Sequence, residues 1–113
     1  MTVNDVVQKL ELSVYGGEKG LDRAVTGGYV SDLLSDVMGN ASEGDVWITL
    51  QTHKNVMAVA SLKEVAAVVL VKGLKPDADT LAQGNEEEIP VLGSELETFD
   101  LAGRLYMLLN DDK

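Results

Sequence analysis

The sequence predicts a three-layer α/β/α single domain with a mostly parallel sheet, and three observations carry that prediction. Three apolar runs, residues 46–50, 66–71 and 89–92, are separated by segments that can each hold one helix, which is the pattern of a βαβαβ unit. The middle run, AAVVLV, is apolar at every position, as a parallel strand covered on both faces must be. With 113 residues the chain is long enough to bury a core and too short for two domains. Right-handed crossovers between such strands put helices on both sides of the sheet. The domain is expected to span residues 1–110, with 111–113 as a frayed C-terminus.

The opening residues read as a short helix, with Thr2 as N-cap and Val3, Val6, Val7 and Leu10 on one face. Leu12, Val14 and Tyr15 suggest a strand closed by Gly16-Gly17, and Val25 a second short strand over residues 24–28. Ser31 is expected to cap a helix over residues 32–38 that ends in a left-handed cap at Gly39-Asn40. The run at 46–50 is a strand, residues 55–63 a helix, and 66–71 the second strand of the parallel unit. Residues 77–88 form a helix interrupted by Gly84, and 89–92 the third strand. A last helix covers 96–109, with Phe99, Ala102, Leu105 and Leu109 on its buried stripe and Ser94 with Glu97 as a capping box.

Composition excludes several functions. There is no cysteine, hence no disulfide, thiolate nucleophile or cysteine-held metal. One histidine cannot build a multi-histidine metal site, and no cofactor is expected. The net charge of −10, with nine scattered basic residues, argues against nucleic acid and anionic membrane surfaces as partners. No signal peptide or membrane-length apolar run is evident, so the chain reads as cytoplasmic. Gly39 and Gly44 have the spacing of a phosphate loop, but Asp45 stands where a lysine is needed. The serines lack a nucleophile context, and Glu86 to Glu88 read as a solvated charge run. Catalysis is not expected.

Binding chemistry is better placed. In open α/β sheets, ligands sit beyond the carboxyl ends of the strands, where loops run into helix N-termini that favour anions. Here those loops carry Thr52, His53, Lys54 and Asn55 after one strand and Lys72-Gly73 after the next. These six residues are the candidate site for a small anionic, nucleotide-like metabolite. They also read as scaffold, with Thr52 a helix cap and Lys72-Gly73 a strand-ending turn.

The whole chain resembles the DRTGG domain, a small α/β module found alone and fused within CBS-domain pyrophosphatases and phosphate acetyltransferases. It is similar in fold to the N-terminal domain of HPr kinase/phosphorylase. The resemblance rests on GGYVSDLLS (27–35), GDVWIT (44–49), AAVVLV (66–71), IPVL (89–92) and TFDLAGR (98–104). In that family the Asp-Arg pair follows one parallel strand and Thr-Gly-Gly the next. By order along the chain those positions fall on Thr52-His53 and on Val71-Lys72-Gly73, whereas DRAVTGG (22–28) lies one element too early. The resemblance implies a regulatory or ligand-sensing module without catalysis, acting as a homodimer. The apolar residues of the terminal helix and of the segment 30–38 are the expected dimer surface. The alternative is a ligand-free interaction module that docks a basic protein partner through its acidic surface.

Overall fold

The computed structural model describes residues 1–111, with five α-helices and five strands that alternate except for the first two strands, which are joined through a 3-10 turn at Glu18–Gly20. Along the chain they are α1 (Val3–Leu10), β1 (Ser13–Gly16), β2 (Gly27–Val30), α2 (Leu34–Asn40), β3 (Asp45–Thr49), α3 (Asn55–Lys63), β4 (Ala67–Leu70), α4 (Ala78–Glu87), β5 (Val91–Gly93) and α5 (Thr98–Leu109). The sheet order is β1-β5-β4-β3-β2. β2, β3, β4 and β5 are parallel neighbours, and β1 closes the far edge antiparallel to β5. Both early strands therefore join the main sheet.

The central strands are buried on both faces, as their composition requires, and their side chains alternate between two cores. Val46, Ile48, Val69 and Leu92 meet Val3 and Val6 of α1 and Leu101 and Leu105 of α5. Trp47, Val68, Leu70 and Val91 meet Val37 of α2 and Val56, Met57 and Ala60 of α3. Helices thus cover both faces, giving the expected three layers. Gly84 interrupts nothing. It lets α4 lie against the sheet, where a Cβ would stand 2.6 Å from Val91 Cγ2.

Several boundaries differ from the sequence reading, each for a local reason. The second strand begins at Gly27 rather than spanning 24–28, so Val25 is a buried loop residue and the glycines lie in the strand. Gly28 faces α5, where a Cβ would stand 3.0 Å from Leu105 Cδ2; the missing side chain admits the helix. Ser31 caps no helix. Its Oγ accepts from the Leu33 N–H in a local turn, and α2 starts at Leu34. Gly39 and Asn40 remain helical, and α2 ends on extended Ala41 instead of a left-handed cap. No Ser94–Glu97 capping box forms, because Ser94 Oγ accepts from the Leu96 N–H while Glu97 occupies the N-cap without a side-chain bond. On α5 the buried stripe is Leu101 and Leu105, and Phe99 points outward with 87% of its surface exposed. Asn110 continues as a hydrogen-bonded turn beyond α5, and of the tail expected to fray, 112 and 113 lie outside the described residues. The Thr2 cap holds in full: its hydroxyl accepts from the Asp5 N–H while the Asp5 carboxylate accepts from the Thr2 N–H.

Candidate functional site

Parallel pairing brings the candidate loops to one edge. β3 and β4 run side by side with Thr49 opposite Leu70, so the segment 50–54 and the turn at Lys72-Gly73 leave the sheet as neighbours. α4 ties into the first loop: the Asp77 N–H and the Thr80 hydroxyl both donate to the Thr52 carbonyl, at 3.0 and 2.8 Å. Thr52 therefore contributes its carbonyl to scaffold, and the N-cap of α3 is Lys54, which makes no side-chain cap. His53, Lys54 and Asn55 are exposed at the start of α3.

Lys72 and Gly73 both adopt the left-handed conformation, at φ 59° and 71°, and the turn closes through Leu74 N–H to the Val71 carbonyl at 3.1 Å. Glycine takes this conformation freely, whereas lysine does so at a cost. The turn is pinned to the neighbouring exit, with the Lys72 N–H donating to the Leu96 carbonyl and the Gly73 N–H to the Ser94 carbonyl, both at 2.9 Å. A Cβ on Gly73 would fall against the Glu95 carboxylate. An acid thus stands over the glycine expected to admit an anion, and Asp77 and Asp79 share this edge with Lys72 and Lys75. The rim is mixed in sign.

Two further residues of this edge escape a reading from sequence. Asp32 Oδ1 accepts from the Thr49 hydroxyl at 2.9 Å and from the Leu50 N–H at 2.6 Å, fixing the exit of β3. Gln51 completes the clasp by donating from Nε2 to the Asp32 carbonyl at 2.9 Å. With the second strand placed at 24–28, its exit fell before Ser31; shifted to Gly27–Val30, the same edge rule finds Asp32. Lys75 sits with Nζ 5.3 Å from the centre of the Tyr15 ring, a cation–π contact across the antiparallel strand. No sequence spacing announces that contact.

Below the edge, on the α2 side of the sheet, lies a polar cluster. Tyr29 Oη donates to Asp36 Oδ2 at 2.8 Å, and Asn40 Nδ2 donates to Asp36 Oδ1 at 3.0 Å. Ser31, Tyr29 and Asn40 together hold the Asp36 carboxyl below the usual carboxylate value. The same bond to Asp36 raises the Tyr29 phenol above its ordinary value. The cluster joins α2 to β2.

DRAVTGG has no place in this edge. Arg23 Nε donates to the Glu88 carbonyl at 3.0 Å, at the C-terminal end of α4, and Thr26 Oγ1 donates to the Glu43 carbonyl at 3.0 Å. Among the described residues no three histidine or carboxylate side chains gather as a metal site, and no helix is long and apolar enough to cross a membrane.

Comparison with known proteins follows the same lines. The family described as the DRTGG domain matches residues 5–108. No curated protein matches the sequence. Among solved structures, the chain is similar to the CBS and DRTGG domains of the regulatory region of Clostridium perfringens pyrophosphatase, complexed with its activator diadenosine tetraphosphate. That likeness has a TM-score of 0.70 at 17% identity and covers 92% of this chain. The chain spans 45% of that structure.

Proposed function

Since the chain belongs to the DRTGG domain family, we propose that it is a non-catalytic regulatory domain that senses an anionic, nucleotide-like ligand and self-associates. The observation that carries the reading is the joint exit of β3 and β4, which sets Thr52, His53, Lys54 and Asn55 beside Lys72 and Gly73 at the edge where α/β sheets bind ligands. The ligand's negative groups meet exposed His53, Lys54 and Lys72, and the turn at Gly73 brings backbone to the surface. The related regulatory region, solved with a dinucleoside polyphosphate, supports the choice of ligand class. The acid over Gly73 gives the site a gate: a bound anion displaces the Glu95 side chain.

Thermal unfolding of the purified protein against mononucleotides, dinucleoside polyphosphates and phosphorylated metabolites tests this. A ligand at about 100 times its dissociation constant adds about 2.7 kcal/mol, which moves the midpoint of a domain this size by several degrees. The shift is expected for nucleotides and is expected to vanish in His53→Ala and Lys72→Ala. Midpoints that stay flat across the screen would sink the ligand reading.

A further inference from the structure

Beside the Lys72-Gly73 turn, the same edge carries an aromatic ring. Tyr15 belongs to β1, which pairs with β5 so that Ser13 stands opposite Gly93 at the end of that strand. The ring lies on Gly93, where a Cβ would stand 2.5 Å from Tyr15 Cε2 and Oη. The absent side chain seats the ring against backbone, which holds it as a platform. Tyr15 is half-buried, and Lys75, an exposed residue, sets Nζ 5.3 Å from the ring centre. A cation–π contact at an exposed site is weak, so a flat ligand can take the ammonium's place. The other aromatic side chains are committed or remote. Trp47 is buried, Tyr29 donates to Asp36, and Phe99 and Tyr106 belong to α5, which covers the opposite face of the sheet from Tyr15.

We infer that the Tyr15 ring is the seat of the ligand's base, so that the site takes a nucleotide in preference to a bare phosphate or a sugar phosphate; the inference rests on the reading of this edge as an anion site. β4, β5 and β1 are successive neighbours, which puts the ring one to two strand spacings, roughly 5–10 Å, from the Lys72-Gly73 turn. A single nucleotide bridges that span, with its base on Tyr15 and its phosphates at the turn. The base replaces the Lys75 ammonium on the ring face, as bases stack on aromatic side chains in single-strand binding. The displaced ammonium stays on the rim, three residues from Lys72, and counters the phosphates of the same ligand. Every base has a π-face, so Tyr15 selects nucleotides as a class and leaves the choice among bases to other contacts.

Titration calorimetry of the purified chain with ATP and with inorganic tripolyphosphate, which has the three phosphates without the nucleoside, tests the assignment. ATP is expected to bind roughly tenfold tighter, although tripolyphosphate carries more charge. Tyr15→Leu is expected to erase that ratio and Tyr15→Phe to keep it. Lys75→Ala removes the competitor for the ring and is expected to widen the ratio, even as the lost cation weakens both ligands. Lys75 is exposed, so this variant keeps the test free of misfolding. The ring proton resonances of Tyr15 are expected to shift upfield with ATP and to stay in place with tripolyphosphate. Equal affinities in the wild type, a ratio that survives Tyr15→Leu, or one that fails to widen in Lys75→Ala overturns the base platform and leaves the anion reading standing. If neither probe binds at millimolar concentration, both readings fall.

Discussion

Arg23, Thr26, Gly27 and Gly28 show how a suggestive string can be scaffold. Arg23 holds the end of α4, Thr26 ties to the Glu43 carbonyl, and Gly28 makes room for Leu105. At the candidate site, the residue that most changes the sequence reading is Glu95, whose carboxylate lies over Gly73. If anions bind there, Glu95→Gln is expected to tighten nucleotide binding several-fold, because it removes a like charge while keeping the side chain's size. Titration calorimetry of the variant against wild type reads this directly, and equal affinities would place the ligand elsewhere. Asp36 makes a pH prediction. Its folded-state acidity is raised by Ser31, Tyr29 and Asn40, so its pKa lies below the unfolded value. The resulting stability is present above the unfolded carboxylate pKa of about 4 and is lost as pH falls through the lower folded value. Asp36→Asn is therefore expected to destabilise the protein at pH 7 and to flatten the fall in unfolding free energy below about pH 4. Denaturant curves at several pH values check it, and an unchanged slope would assign the cluster no role in acid stability. The loops that hold His53 and Lys72-Gly73 were legible as leaving one edge of the sheet, because they follow strands that pair in parallel. Glu95 and Asp32 were not, since side chains that fold back over a turn leave no spacing in the chain.

At the level of elements, three helices end alike. Glu11, Glu64 and Glu88 follow α1, α3 and α4 in the left-handed conformation, at φ 53°, 55° and 56°. In each case the next N–H reaches back to a carbonyl five residues earlier, from Leu12 to Val7, Val65 to Ala60 and Ile89 to Gly84. The residue making that bond is buried each time. Glycine is the usual occupant of such a cap, and an acid there also opposes the helix dipole. Glu64→Gly is expected to raise stability by about 1 kcal/mol, or about 4 °C in melting temperature. Calorimetry measures it, and a loss of stability would show that Glu64 makes a contact worth more than the strain. The helix ends at Leu10, Lys63 and Leu109 were readable, but the kind of cap was not: glycine and asparagine were sought, Gly39-Asn40 were found, and they are the last two residues of α2, which stops on extended Ala41. Thr2 was readable as a cap, while α2, α3, α4 and α5 begin on Leu33, Lys54, Asp77 and Glu97 without any side-chain cap bond. The stripe of α5 was right at Leu105, with Ala102 and Leu109 packed beside it, but wrong at Phe99 and silent on Leu101, because the helix is apolar on two faces and periodicity alone cannot say which one the sheet covers.

For the molecule as a whole, the apolar runs at 46–50, 66–71 and 89–92 were enough to give three parallel strands and two helical layers, since continuous burial has few other solutions. The two short outer strands carried less information. β2 is half glycine and β1 is an antiparallel edge with a bulge between Val14 and Gly16, so neither shows a clean period. Net charge governs a prediction at this scale. Copies of a chain of charge −10 repel one another, so added salt is expected to strengthen self-association, whereas docking of a basic partner through the same acidic surface would weaken. Light scattering between about 50 and 500 mM salt separates the two, and a dimer that dissolves as salt rises would mean that ion pairs hold it. The antiparallel edge also sets a timetable for synthesis. β2, β3 and β4 can pair in turn as they leave the ribosome, but Ser13 must wait for Gly93, which is made near the end of the domain. The first strand to emerge is the last to find its place, and until it does the nascent chain carries an unclosed sheet with two bare sides.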